Sequence, residues 1–164
     1  MRDEHDFEDF YAAVFDRLVG QLFLITGNLQ DAEDAVQEAL TRAALRWPKL
    51  RRYRVPEAWV RRVAMNLAAD RGRRLQRQAR ALLRAGPPAA VPPASVEALA
   101  LAEALRTLPM HQRQAIVLHH LVDLPVEEVA ATLGTRTGTV KSWLARGRRT
   151  LATRLGEPEE VRSR

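Results

Sequence analysis

Between Ala85 and Ala94 the chain reads AGPPAAVPPA, a stretch that cannot hold a helix, while nearly everywhere else apolar residues recur every three or four positions. That contrast predicts an all-α protein of two small helical domains joined by a semi-rigid Pro-rich linker. We place the domains at residues 1–78 and 97–157, the linker at 79–96 and a polar tail at 158–164. At polyproline rise, about ten irregular residues could extend about 30 Å, so the domains need not touch.

In the first domain, Phe7, Phe10, Tyr11, Val14, Leu18, Leu22 and Ile25 mark one helix, which Gly27-Asn28 ends. Asp31 is the expected N-cap of a second helix, with Ala32, Val36, Ala39, Leu40 and Ala43 on one face. Asp34, Gln37, Glu38 and Thr41 share the opposite face. Trp47-Pro48 opens an expected irregular basic loop to Val55. Pro56 suits the first turn of a helix running through Trp59, Val60, Val63, Ala64 and Leu67 to about Arg74. Trp59 lies on the stripe with Val63 and Leu67, which favours the core, with a role beside Tyr53 in receiving an unstacked base as the open alternative. Asp70, near that helix's end, is expected to orient Arg73 or Arg74.

The second domain opens at Glu97, with Leu99, Ala102, Leu105 and Leu108 in register. Its core is expected from Ile116, Val117, Leu121, Val126, Val129, Ala130, Leu133, Val140, Trp143 and Leu144. Gly134 ends a helix begun near Pro125, and another runs from Thr137 to about Leu155. Two short helices meeting across a Gly-containing turn, the second one basic, read as a helix-turn-helix that enters the DNA major groove.

Charge is sorted by segment. The net charge is +6, yet residues 1–45 are acidic, with only Arg2, Arg17 and Arg42 as cations. From Arg46 to Arg84 only Glu57 and Asp70 interrupt the arginines, and Arg136 to Arg154 contains no acid. Solvated helix faces mix the signs; separation this sharp predicts different surfaces for different partners.

Several classes are excluded. The chain has no cysteine, hence no disulfide or Cys-ligated zinc, which fits a cytoplasmic location. No apolar run is long enough for membrane insertion, and the acidic first residues do not read as a signal peptide. His5, His111, His119 and His120 are scattered, so neither a metal site nor a cofactor is expected. With no nucleophile triad, phosphate-cradling loop or dinucleotide fingerprint, the chain does not read as an enzyme.

LPMHQRQAIVLHHLVDLPVEEVAATLG followed by GTVKSWLARGRRTL resembles the second DNA-binding domain of bacterial RNA polymerase sigma factors. GNLQDAEDAVQEAL resembles the family's polymerase-binding helix, and PEAWVRRVAMNLAADRGRR its −10-recognition helix. The three motifs, in that order and without the further domains of larger members, match the layout of the extracytoplasmic-function (ECF) class. The resemblance covers all but the linker and the tail after Gly156.

The resemblance implies a promoter-specificity subunit of core RNA polymerase, with partners in the clamp of its largest subunit, the flap of its second subunit, promoter DNA and, as in many members, an anti-sigma factor. It implies polymerase binding by Asp34, Gln37, Glu38 and Thr41. The −10 element falls to Arg51, Arg52, Tyr53, Arg62, Asn66, Asp70, Arg73 and Arg74. The −35 element falls to Arg136, Thr137, Thr139, Lys141, Ser142, Arg146 and Arg149. Three positions depart from the family pattern. Pro125 and Arg136 stand where capping residues are usual, leaving Thr135 or Thr137 as the expected cap of the last helix, and Trp143 replaces a frequent Arg. They bear on the −35 preference. The alternatives are a stand-alone helix-turn-helix regulator that dimerises through its N-terminal half, and a basic helical RNA-binding protein.

Overall fold

A computed structural model describes residues 2–81 and 95–156, and every regular element among them is helical. The chain divides into two compact units, 1–92 and 93–164, each with its own core. The Pro-rich stretch and the tail lie outside the described residues.

The first unit holds α1 (Arg2–Thr26), α2 (Leu29–Leu45), α3 (Trp47–Leu50) and α4 (Pro56–Ala81). Gly27 turns the chain out of α1 at φ +69°, a left-handed value that a side chain would oppose. The cap of α2 is Asn28, not Asp31: its backbone is extended and its side-chain oxygen accepts the Asp31 N–H at 3.1 Å. Asp31 sits in the first turn instead, where its charge favours the helix dipole.

Leu18, Leu22 and Ile25 of α1 are fully buried against the alanine-rich face of α2 and the Val60, Ala64 and Met65 stripe of α4. Each large aliphatic side chain contributes about 2 kcal/mol in such a setting. Small Ala32, Ala39 and Ala43 let the helix backbones approach closely.

The expected loop after residue 46 begins as a helical turn, because Pro48 fits an N-terminal helical position and Trp47 is drawn inward. Trp47 is buried against Phe10 and Phe7, with ring centroids at 4.8 and 5.3 Å. Helix α4 also runs further than expected, to Ala81.

In the second unit Ser95 caps α5 (Val96–Arg106) by accepting the Ala98 N–H, two residues before the expected start at Glu97. Helix α6 (Met110–Ile116) continues into a π-helical turn at Val117–Leu121, closed by Val122 N–H on the Val117 carbonyl. That wider turn shifts the helical phase and sends Leu121 outward. Leu121 is 45% exposed and leaves the core expected for it; Leu105, Leu108 and Leu118 are buried. Val126, Leu133 and Trp143 of the expected core are half-buried.

Arg113 ties the α5–α6 corner by donating to the Arg106 and Leu108 carbonyls. Burial, and then the charge of Arg106, lower its pKa.

Helix α7 (Val126–Leu133) starts after Pro125 without a side-chain cap and ends at Gly134, φ +63°. Helix α8 (Thr137–Leu155) follows, with Arg136 at its N-cap in extended conformation. Neither Thr135 nor Thr137 takes that place, and no side chain bonds there. Gly147 lets α8 lie tightly on α6, since a Cβ there would fall 3.0 Å from Ile116 Cγ1.

Candidate functional site

Helical spacing sets Asp34, Gln37, Glu38 and Thr41 on one face of α2. Three of them are exposed and Asp34 is half-buried. Their oxygens are already engaged. Asp34 receives Arg71 Nη1 and Gln30 Nε2, each at 2.9 Å; Glu38 receives Arg42 at 2.9 Å; Gln37 accepts the Tyr11 hydroxyl at 2.7 Å. Thr41 donates back to the Gln37 carbonyl. Arg71 also reaches Asp31 at 3.0 Å, so one guanidinium spans two carboxylates.

A groove of about 570 Å³ lies between α2 and α4, with Asp34, Glu38 and Arg42 on one wall and Asp70, Arg71 and Arg74 on the other. The acidic and basic blocks therefore meet, which their separation in sequence did not suggest. Arg74 faces this groove, beside the α2 residues. Arg42 and Arg71 were not among the expected site residues; the i,i+4 spacing of Glu38 and Arg42 was a signal in the sequence, whereas the reach of Arg71 across to α2 becomes visible only once the helices pack.

Arg51, Arg52 and Tyr53 follow α3 and are exposed. Arg51 lies 3.6 Å from Asp6. Tyr53 and Trp59 help wall a second pocket of about 370 Å³, together with Leu45, Pro48 and Leu50, with Arg46 and Lys49 completing the lining. Trp59 is half-buried here rather than in the core, and the Arg46 guanidinium stands 5.8 Å from its ring centroid. The stripe that closes the core is Val60, Ala64, Met65 and Ala68, one step round the helix. Leu45, 82% exposed, and the Arg46 and Lys49 cations were missed as site residues. Their only sequence signal was the onset of the basic block.

Glu57 anchors the start of α4. It accepts Arg17 Nε at 3.1 Å and Arg61 Nη2 at 2.8 Å, while Arg61 Nε donates to Gln21 at 3.0 Å. The Glu57 hydrogen bond and charge raise the pKa of Arg17, and Arg61 is buried. Further along, Arg62, Asn66, Asp70 and Arg73 are exposed, and Asp70 pairs with Arg73 one turn on.

On α8, Thr137, Lys141, Ser142, Arg146 and Arg149 are exposed, as is Arg136 at its cap; Thr139 is half-buried. Ala145 joins this exposed face between Ser142 and Arg149, a position the basic pattern hides. Trp143 turns aside and stacks on His111, rings 9° from parallel and centroids 4.9 Å apart. That packing accounts for an aromatic residue where the resemblance leads one to expect Arg. Arg148 Nη1 lies 3.4 Å from His120 Nε2, and burial, His119 and Arg148 together lower the His120 pKa. Among the described residues no helix is long and apolar enough to cross a membrane, and no group of three or more His, Cys, Asp or Glu could hold a metal ion.

Comparison with known proteins matches residues 10–78 to Sigma-70 region 2 and residues 98–151 to Sigma-70, region 4. The chain is 33% identical over 155 residues to the ECF RNA polymerase sigma factor SigM of Mycobacterium tuberculosis, covering 94% of this chain and 79% of that one. It is 32% identical over 143 residues to the RNA polymerase sigma-E factor of Streptomyces coelicolor, covering 86% and 81%. Among solved structures, the sigma factor RpoE of Bartonella quintana, in complex with the anti-sigma factor NepR, superposes with a TM-score of 0.76 at 26% identity, over 94% of this chain and 99% of that one. CnrH in complex with the cytosolic domain of CnrY gives 0.64 at 25% identity, over 93% and 89%.

Proposed function

The chain belongs to the sigma-70 family of RNA polymerase sigma factors, in its ECF class, and is a promoter-recognising subunit of transcription initiation; from that premise we propose that three of its surfaces divide the work. The α2 face of Asp34, Gln37, Glu38 and Thr41 docks on the clamp of the polymerase largest subunit. Its polar, exposed character carries this reading. A self-associating regulator would need an apolar seam there.

The second surface takes the −10 element. Strand opening requires cations along phosphates and a place for an unstacked base. Arg51, Arg52, Arg62 and Arg73 supply charge, whereas Arg74, expected there from the sequence, faces the α2 groove; Asn66 supplies a polar contact to base or backbone. Asp70 acts as a positioning residue through Arg73. The pocket walled by Tyr53 and Trp59 is flat-sided and largely apolar, suited to a base plane, with Arg46 and Lys49 beside it for the neighbouring phosphates. The Glu57 network holds the first turn of α4 and with it this pocket's Trp59 wall.

The third surface is α8. Thr137, Thr139, Lys141 and Ser142, near its start, reach base edges of the −35 element, and Arg136, Arg146 and Arg149 hold phosphates. Two tethered DNA-binding units on one polymerase gain avidity without new contacts. The second unit also meets the polymerase flap. The work takes place in the cytoplasm, needs no cofactor and involves no catalytic residue of this chain. The complex of RpoE with the anti-sigma factor NepR makes an anti-sigma factor a further proposed partner.

Run-off transcription with purified core polymerase and genomic fragments tests the whole. If wild-type protein neither binds core nor starts transcription, the reading fails. Glu38→Lys should weaken core binding and spare DNA binding by the second unit; Lys141→Ala or Arg146→Ala should do the reverse. Loss of both activities in one variant would argue against separate surfaces.

A further inference from the structure

Helix α4 carries its charge well past its packing. Its last buried side chain is Ala68, and every residue from Arg73 to Ala81 is exposed. At 100° per residue, Arg62, Asn66, Asp70, Arg73, Arg77 and Arg80 fall within roughly 80° of one another and span about 27 Å. The remaining arginines near the end of α4 face elsewhere: Arg71 on Asp31 and Asp34, Arg74 into the α2 groove. Beyond Asp70, which Arg73 already engages, α4 contains no acid, and Arg77 and Arg80 have no acidic partner among the described residues. Like charges three and four residues apart repel on an isolated helix, and a polyanion relieves that repulsion.

Resting on the promoter-binding reading above, we propose that Arg77 and Arg80 form an additional phosphate-binding segment, which grips the sugar–phosphate backbone of duplex DNA adjoining the −10 element. Continuity with Arg62 and Arg73 supplies the direction: the rail begins at the −10 surface and leads away from it. The segment favours stacked duplex over open strand, because residues 73–81 include no aromatic side chain on which an unstacked base could rest. It reads no sequence, since evenly placed cations on an unpacked helix meet phosphates and not base edges.

The test uses the full chain with core polymerase on a promoter selected by wild-type run-off transcription. Arg77→Gln with Arg80→Gln should lower the slope of log K against log salt by about 1.8, at about 0.9 per duplex phosphate, with core affinity and start site unchanged. Arg77→Lys with Arg80→Lys should keep the wild-type slope. A promoter with methylphosphonates in the duplex next to the −10 element should lower the wild-type slope and leave the glutamine variant's slope unmoved. An unchanged slope in the glutamine variant overturns the proposal. So does loss of core affinity at constant slope, which would make the segment a polymerase contact. A slope difference that persists on the neutralised DNA overturns the assigned position. All these outcomes presuppose an active wild-type holoenzyme, so failure of the promoter-binding reading would be seen separately.

Discussion

Arg71 of α4 reaches Asp34 of α2 with Nη1 2.9 Å from Oδ2, joining the chain's basic block to its acidic one. The same guanidinium holds Asp31, so an acid of the polymerase-facing surface is partly neutralised by the helix proposed to hold DNA. Both groups of the Arg71–Asp34 pair are nearly half exposed, and such pairs contribute about 1 kcal/mol or less. Arg71→Ala is therefore expected to cost under about 1 kcal/mol in urea unfolding. It should also tighten core polymerase binding by freeing Asp34, as measured by fluorescence anisotropy. Weaker core binding in a folded variant would show that the paired carboxylate is the competent one.

Gly147 and Gly20 are both helical, yet a methyl group has opposite consequences at the two. Nothing lies within 4 Å of a Cβ at Gly20, so Gly20→Ala should gain up to about 1 kcal/mol from helix propensity. At Gly147 the new carbon would meet Ile116 Cγ1 at 3.0 Å and Cδ1 at 3.3 Å. Overpacking costs about 1–3 kcal/mol and outweighs the propensity gain, so Gly147→Ala should lower stability. Thermal melting of the two variants, in opposite directions, checks the pair.

Trp47 is buried among Phe7 and Phe10, but its indole N–H has no hydrogen-bond partner among the described residues. An unsatisfied buried donor costs about 1–3 kcal/mol, so part of what the ring contributes is offset. Trp47→Phe should therefore cost less than about 1.5 kcal/mol, while Trp47→Ala should cost about 3–5 kcal/mol by emptying the cluster. A Trp47→Phe loss well above that bound in urea denaturation would mean that the N–H is satisfied after all.

How far these features were legible depends on the range of the forces that set them. The Gly134 turn, the start of α4 at Pro56 and the span of α8 from Thr137 to Leu155 are local decisions, written in left-handed glycine, fixed proline φ and apolar period. The α3 turn is different: WPKL is helical because Trp47 meets rings nearly forty residues earlier. Trp59 shows the limit of periodicity, which names a stripe but not which edge of it the other helices cover. Leu121 moved outward because of a π-helical turn that no periodic pattern announces. The arginines of α4 looked like one run; helix rotation assigns Arg71 and Arg74 to α2 and sends Arg73, Arg77 and Arg80 away. The candidate residues of α2 and α8 were found as exposed faces, whereas their partners across helices were not.

His120 gives the fold a pH dependence whose sign is set by its neighbours. Burial first, then His119 and Arg148, hold its pKa below the ordinary value of about 6.5. Between the folded and unfolded pKa values the unfolded chain binds more protons, so stability rises with pH across that window. The contribution is complete above about pH 6.5 and is lost as the pH falls through the folded value. Protonation also removes the acceptor that His120 Nε2 offers Arg148 at 3.4 Å and sets two cations face to face. The urea midpoint of wild-type protein should therefore drop more between pH 7.5 and pH 5 than that of His120→Gln, and an NMR titration should place the His120 pKa below 6.5. Identical pH profiles for the two proteins would refute the assignment, while a shallower profile in Arg148→Gln would identify Arg148 as one source of the shift.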